Sequence, residues 1–208
     1  MKKRVALILG VVFACMLSAC GTAADANPSQ DNAGQESIEP NSEPDTADTN
    51  KVLVAYFSCT NNTETVAGYI AEAMPADLYE IVPQEAYSAD DLDYGDSTSR
   101  ATVEQNDSSM RPAISGGVEN MDDYEVVFIG YPIWWGNSPK IVSTFLESYD
   151  FSNKTIIPFC TSGSSEIGSS ATDLESLCSD TAVWISGERF GGSEDKTEIE
   201  NWVNGLGL

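Results

Sequence analysis

Apolar residues fall along this chain in short runs divided by amphipathic stretches. Lys51-Val-Leu-Val-Ala-Tyr-Phe57 is almost continuously apolar, the pattern of a strand buried on both faces. From Thr63 to Met74 the apolar positions Val66, Ala67, Ile70 and Met74 take helical spacing, and Pro75 ends the helix. Asp77 to Val82 alternates polar and apolar residues, as a strand at a sheet edge does. Periodicity then weakens from Pro83 to Asn120, where Tyr87, Tyr94 and Arg100 stand among Asp and Ser; one short helix is expected over 99–107. A third strand follows at Tyr124–Gly130, a helix at Pro139–Glu147 and a fourth strand at Lys154–Cys160. Next come a helix at Gly168–Cys178, a fifth strand at Ala182–Ser186, and a closing helix at Glu194–Asn204 with Ile199, Trp202 and Val203 on one face. No internal repeat is visible.

Strands spaced this widely cannot all be hairpin partners. They imply right-handed crossovers and a parallel sheet covered by helices on both faces. The predicted fold is α/β: a three-layer, doubly wound, five-stranded parallel sheet over residues 51–208. In such sheets a ligand lies beyond the carboxyl ends of the strands, where strand order reverses. The loops after the first, third and fourth strands are therefore the candidate site.

The first fifty residues read differently. Lys2, Lys3 and Arg4 precede an apolar run from Val5 to Met16 and then Leu17-Ser18-Ala19-Cys20. Residues 1–19 are thus expected to be a secretion signal. The Leu-Ser-Ala-Cys ending resembles a bacterial lipobox, which implies that Cys20 is lipidated and becomes the mature N-terminus. An ordinary cleaved signal and a signal anchor are the competing accounts; the apolar run is shorter than the roughly 20 residues a bilayer span needs. Residues 20–50 hold seven acidic side chains, no Lys or Arg, no aromatic residue and three prolines. Such a composition cannot bury a core, so a disordered acidic linker is expected, with a reach on the order of 30 Å. The resulting picture is a domain outside the cell membrane, bound to it through the lipid alone.

Charge and composition narrow the chemistry. The 208 residues include 33 acidic and ten basic side chains and no histidine, a formal charge of −23. A surface this negative repels nucleic acid and anionic headgroups, which excludes nucleic-acid partners. Without histidine there is no His-based triad and no His-ligated metal. Of five cysteines, Cys15 lies in the leader and Cys20 at its end, leaving Cys59, Cys160 and Cys178. Three thiols cannot all pair internally, and their spacing fits no metal motif. They are expected to be reduced residues of core and loops.

The three loops carry distinct chemistry. Ser58-Cys59-Thr60-Asn61-Asn62-Thr63 joins a strand directly to a helix. Free backbone N–H groups, hydroxyls and the positive end of the helix dipole converge in such a turn and suit an anion. The loop has no lysine, so a P-loop triphosphatase is disfavoured and a single phosphate monoester fits better. Simple capping of the helix by Ser58 or Thr60 is the competing account. After the third strand comes Pro132-Ile133-Trp134-Trp135-Gly136, whose adjacent indoles suit stacking on a flat ring. There the alternative is one indole plugging the seam between helix and sheet, with the other meeting a protein partner. After the fourth strand, Thr161-Ser162-Gly163 permits close backbone approach and offers N–H donors to a polar ligand edge; a plain surface loop is the alternative.

Together the loops describe a site for a phosphorylated planar heterocycle. Tyr56-Phe-Ser-Cys-Thr-Asn-Asn-Thr63 resembles the Ser/Thr-x-Thr-Gly-Asn-Thr phosphate loop of the flavodoxin family. Tyr131-Pro-Ile-Trp-Trp-Gly136 and Cys160-Thr-Ser-Gly163 resemble the loops that flank flavin in its reductase-like branch. The resemblance implies FMN, with the phosphate on Ser58, Thr60, Asn61, Asn62 and Thr63 and the ring between 132–136 and 161–163. One departure is that the family's phosphate-loop glycine is Asn61 here; asparagine tolerates positive φ better than other residues do.

FMN performs its own electron chemistry, so no catalytic acid or base is required and the lack of histidine fits. The expected function is an FMN-binding electron-transfer protein or oxidoreductase that serves a redox partner protein or a small electron acceptor. A lipoprotein binding module using the same pocket for another phosphorylated or aromatic ligand is the alternative, motivated by Asn61 and by an extracytoplasmic address, where FMN must be exported or loaded before secretion. Thiol chemistry at Cys59, beside a helix N-terminus that lowers thiol pKa, is a third reading. Tyr87, Tyr94 and Arg100 are expected at the surface, with a role over the ring as the alternative.

Overall fold

The computed structural model describes residues 51–193 and 195–208. The leader at 1–19, the linker at 20–50 and the lipid site Cys20 lie outside the described residues.

β1 (Lys51–Tyr56) is the hub of the sheet. Five of its six residues are buried, as a strand covered on both faces must be. Parallel to it run β2 (Asp77–Glu80) on one side and β5 (Tyr124–Pro132) on the other, the latter in register from Val52↔Val126 to Tyr56↔Gly130. β6 (Thr155–Thr161) continues the sheet beyond β5. After β1 the chain steps first to one side and later to the other, so strand order reverses between β1 and β5. Their carboxyl ends therefore form the crevice in which ligands lie.

Alternate residues of the strands feed two cores. Val52, Val54, Tyr56 and Phe128 pack against α1 (Asn62–Ala73) and α5 (Lys196–Gly205), through Val66, Ile70, Ile199 and Val203. Leu53, Ala55, Phe57, Val127 and Ile129 pack on the other face against α3 (Lys140–Glu147) and α4 (Ser170–Glu175). α2 (Arg100–Asn106) joins that second layer through Ala101. Each fully buried Leu, Ile or Phe contributes about 1.5–3 kcal/mol over its exposed state, which makes the two-faced sheet the main source of stability. Three layers with a doubly wound parallel sheet are as expected.

Details depart from expectation in two places. The single fifth strand expected at 182–186 is two short strands, β7 (Val183–Trp184) and β8 (Glu188–Phe190), which pair in succession with the outer edge of β6 and bring the sheet to six strands. The outer carbonyl of Ile156 accepts from Ile185 N–H at 2.9 Å. The next residue facing that edge is Pro158, which has no N–H to continue the ladder. Gly187 passes so close there that a Cβ would lie 2.4 Å from the Pro158 carbonyl oxygen. The second departure is at 77–82, which is divided: β2 ends at Glu80, Ile81 is buried, and β3 (Val82–Pro83) leaves to pair antiparallel with β4 (Ile114–Ser115). The segment 83–120 is thereby tied at both ends, and its short helix α2 lies within the expected span.

Candidate functional site at the carboxyl ends of the strands

The first loop turns on Asn61, which precedes α1 with φ 65° and ψ −4°, the left-handed conformation a glycine would take. Its carbonyl accepts from both the N–H and the hydroxyl of Thr65, each at 2.9 Å. No side chain caps α1. Thr60 Oγ1 meets only Asn62 Nδ2, at 3.4 Å, and Ser58 Oγ is buried with no partner among the described residues. Neither hydroxyl has capping as its role. Among the described residues the loop instead leaves the first turn of a twelve-residue helix without a side-chain cap and a buried hydroxyl without a partner.

Thr63 differs from its neighbours. Its hydroxyl is buried and shares a 2.7 Å hydrogen bond with Thr161 Oγ1, which ties the first loop to the third. Ser162 is held by its N–H to Phe190 O at 2.9 Å and by its carbonyl, which accepts from Arg189 Nη2 at 2.7 Å. Its hydroxyl accepts from Ser165 N–H at 2.8 Å. A Cβ added to Gly163 would meet nothing within 4 Å, so the loop is open there.

In the second loop the two indoles part company. Trp134 is 5% exposed and packs edge-on against Phe57 and Tyr87, with centroids at 5.5 and 5.2 Å. Its bulk plugs the seam beneath the loop. Trp135 turns outward and stacks on Tyr94 at 4.1 Å. Ile133 N–H donates to Thr161 O at 3.0 Å, so the second and third loops also form one assembly.

Between these loops lies a cavity of about 330 Å³, within the range of small-ligand sites. Of the residues singled out from sequence, Thr60, Asn62, Pro132, Ile133, Trp134, Trp135, Thr161, Ser162 and Gly163 line it. Ser58, Asn61, Thr63 and Gly136 do not, the first three belonging to the turn that leads into α1 and Gly136 to the tip of the aromatic loop. Sequence reasoning missed Leu92, Ala101 and Gly191, which complete the wall with Cys59 and Tyr94. Leu92 and Tyr94 come from an aperiodic segment, and their one sequence cue was an apolar and an aromatic residue among aspartates. Gly191 follows β8, the strand that periodicity merged with β7. A larger groove of about 840 Å³ lies at the opposite ends of the strands, near Lys51 and Leu208, away from all three loops.

Only Cys59 and Tyr94 among the cavity residues are titratable. Burial pushes the Cys59 thiol up to about 11, with the Arg100 charge offsetting part of the effect. The thiolate is thus disfavoured, against the reading of Cys59 as an activated nucleophile. Burial raises the Tyr94 phenol too. All three described cysteines are free. Behind the cavity, buried Glu104 accepts from Tyr87 Oη at 2.5 Å and Arg100 Nε at 2.7 Å, and the Arg100 guanidinium lies 4.0 Å from the Tyr87 ring centroid. Tyr87 and Arg100 therefore back the site without lining it, whereas Tyr94 lies over it. No cluster of metal-ligating side chains occurs among the described residues, and none of their helices is long and apolar enough to cross a membrane. The site can hold a flat ligand with an anionic group at the α1 end; it has no acid–base pair of its own.

Comparison with known proteins places this geometry. The family model for flavodoxin matches residues 51–206. A crystal structure from Bacteroides eggerthii assigned as a flavoprotein is 43% identical, with 76% of this chain and 98% of that one covered at a TM-score of 0.71. A second such structure, from Bacteroides uniformis, is 40% identical over 74% of this chain and 97% of that one, also at 0.71. A flavoprotein from Lactobacillus acidophilus solved in complex with FMN is 21% identical, covered over 74% and 98% at a TM-score of 0.56, a likeness of fold alone. No curated protein matches the chain. Matched by the family model from β1 through α5, this chain belongs to the flavodoxin family.

Proposed function

We propose that the cavity binds FMN and that the protein works as a flavodoxin-like electron-transfer protein or oxidoreductase. One observation carries this reading: in the turn that leads to the uncapped start of α1, Ser58 Oγ is buried with no partner among the described residues, and the next two residues, Cys59 and Thr60, line the cavity walled by Trp135 and Tyr94. A buried hydroxyl without a partner costs about 1–3 kcal/mol, which an anionic acceptor at that point recovers. The phosphate of FMN is such an acceptor, and its flat ring suits the aromatic wall. Ser58, Thr60 and Asn62 would hold the phosphate, with Asn61 and Thr63 shaping the turn. Pro132 to Trp135 and Thr161 to Gly163 would flank the ring.

Bound FMN supplies one- or two-electron transfer. The chain's own part is to bind, orient and shield. Trp134 seals the floor of the cavity, and the Thr63–Thr161 hydrogen bond holds the phosphate end and the ring end at a fixed separation. The neutral Cys59 thiol adds no charge beside the site. Asn61 takes the left-handed backbone conformation open to glycine, which weakens one of the two motives for a non-redox binding module and leaves the extracytoplasmic address as the other.

The leader and the Leu-Ser-Ala-Cys ending support a place outside the cell membrane, tethered through lipidated Cys20, where the domain serves a redox partner protein or a small acceptor. Cys20→Ser would then release the chain from the membrane fraction. The test of the cofactor is direct: the full chain, purified, should show flavin absorbance or acquire it on incubation with FMN. A chain that stays colourless in excess FMN would end the reading.

A further inference from the structure

Trp135 holds a backbone conformation that large side chains rarely adopt, with φ +48°. It is the first central residue of a two-residue hairpin whose second is Gly136, φ +81°. The turn is closed by Trp134 N–H to Asn137 O at 2.8 Å and Asn137 N–H to Trp134 O at 2.9 Å. Hairpins with positive φ at both central positions favour Asn or Gly there, because a Cβ crowds the following carbonyl. A bulky residue persists in such a place only when its surroundings over-determine it, and such places gather at ligand clamps.

The over-determination comes from α2. Gln105 Nε2 donates to Trp134 O at 3.0 Å and to Ser138 O at 3.1 Å, the carbonyls on either side of the turn. One amide therefore pins both feet of the hairpin. Its orientation is fixed by chemistry, since the reversed amide would set Oε1 against two carbonyl oxygens. The opposite end bears the cost: Gln105 Oε1 is buried and has no partner among the described residues. A buried orphan acceptor of this kind is uncommon and asks for a compensating role at its other end.

We propose that Gln105 is the positioning residue for the aromatic wall of the cavity, holding Trp135 in its left-handed conformation so that the indole faces the ligand. This rests on the flavin reading of the cavity given above. Gln105 does not line the cavity; it acts through Trp135. Its loss therefore weakens the grip on the ring and leaves the phosphate end untouched, so that FMN and riboflavin suffer in equal proportion.

The test uses the full chain and Gln105→Met, which keeps length and bulk but lacks the donor. Titration with FMN and with riboflavin should show both dissociation constants raised about tenfold, as for loss of a buried hydrogen-bond donor, with their ratio unchanged. Gln105→Asn, an amide one methylene too short to reach both carbonyls, is the milder variant, read the same way. Urea unfolding of the flavin-free chain gives an independent reading. In a Trp135→Asn background, where residue 135 tolerates the left-handed region, Gln105→Met should shift the midpoint by less than half of its effect beside Trp135. Unchanged flavin affinities, a loss confined to FMN, or equal midpoint shifts in the two backgrounds would each overturn the proposal. If the unmutated chain takes up neither flavin, the cofactor reading fails, and the urea comparison still decides whether Gln105 holds the turn.

Discussion

The Tyr94 ring lies on the Trp135 indole with 4.1 Å between centroids and 23° between planes. One residue comes from the segment between β3 and β4, the other from the loop after β5, so the pair joins two parts of the chain over the mouth of the cavity. A stacked aromatic pair is worth about 1 kcal/mol beyond its buried area. Tyr94→Ala should therefore lower affinity for FMN and riboflavin together, by about fivefold at 1 kcal/mol. Quenching of flavin fluorescence measures this; an unchanged affinity would place the ring elsewhere.

Ser58→Ala separates the phosphate from the ring. The Ser58 hydroxyl is buried without a partner among the described residues, so its removal should leave the flavin-free chain as stable as before or slightly more so. FMN should bind weaker by about tenfold, the loss of one hydrogen bond to a charged group, while riboflavin binding stays the same. Parallel titrations with the two flavins check the sign of each effect.

Glu104 is a buried carboxylate whose side chain is 5% exposed, against 24% for its partner Arg100. Removing one member of such a pair strands the other charge. With Arg100 partly in contact with water, Glu104→Ala should cost about 3 kcal/mol, the lower end for a broken buried pair. Urea denaturation of the flavin-free chain reads this, and a cost below about 1 kcal/mol would assign the cluster to the solvated surface.

Alkaline pH should unfold the protein early. Burial raises the thiols of Cys59 and Cys178 to about 11 and that of Cys160 to about 12; the phenols of Tyr56 and Tyr124 also rise to about 12. Each group keeps its proton longer folded than unfolded, so between the ordinary and the raised values the folded state binds more protons. Stability is then complete below about pH 9 and falls as pH climbs toward 12. A urea midpoint that held level from pH 8.5 to 11 would contradict these burial effects. Alkylation of Cys59 by iodoacetamide should likewise keep rising through pH 10 and show no plateau below pH 9.

The architecture was legible in the pattern of apolar runs because burial on two faces demands them: Val52 to Phe57, Val126 to Gly130 and Ile156 to Cys160 have no other stable place. The turn at Asn61 was legible too, since few residues accept positive φ between a strand and a helix. Other features depended on partners far away in the chain. Trp134 and Trp135 are the same residue type side by side, and only packing against Phe57 and Tyr87 on one hand and Tyr94 on the other sets one indole in the core and the other over the cavity. The break between β7 and β8 arises from Pro158 on a neighbouring strand. Gln105 belongs to no motif, and its donor acquires meaning only where α2 meets the loop after β5. Local patterns of burial and backbone preference thus determined the elements and their order, whereas the working surface of the cavity was decided by contacts between segments dozens of residues apart, which no local pattern encodes.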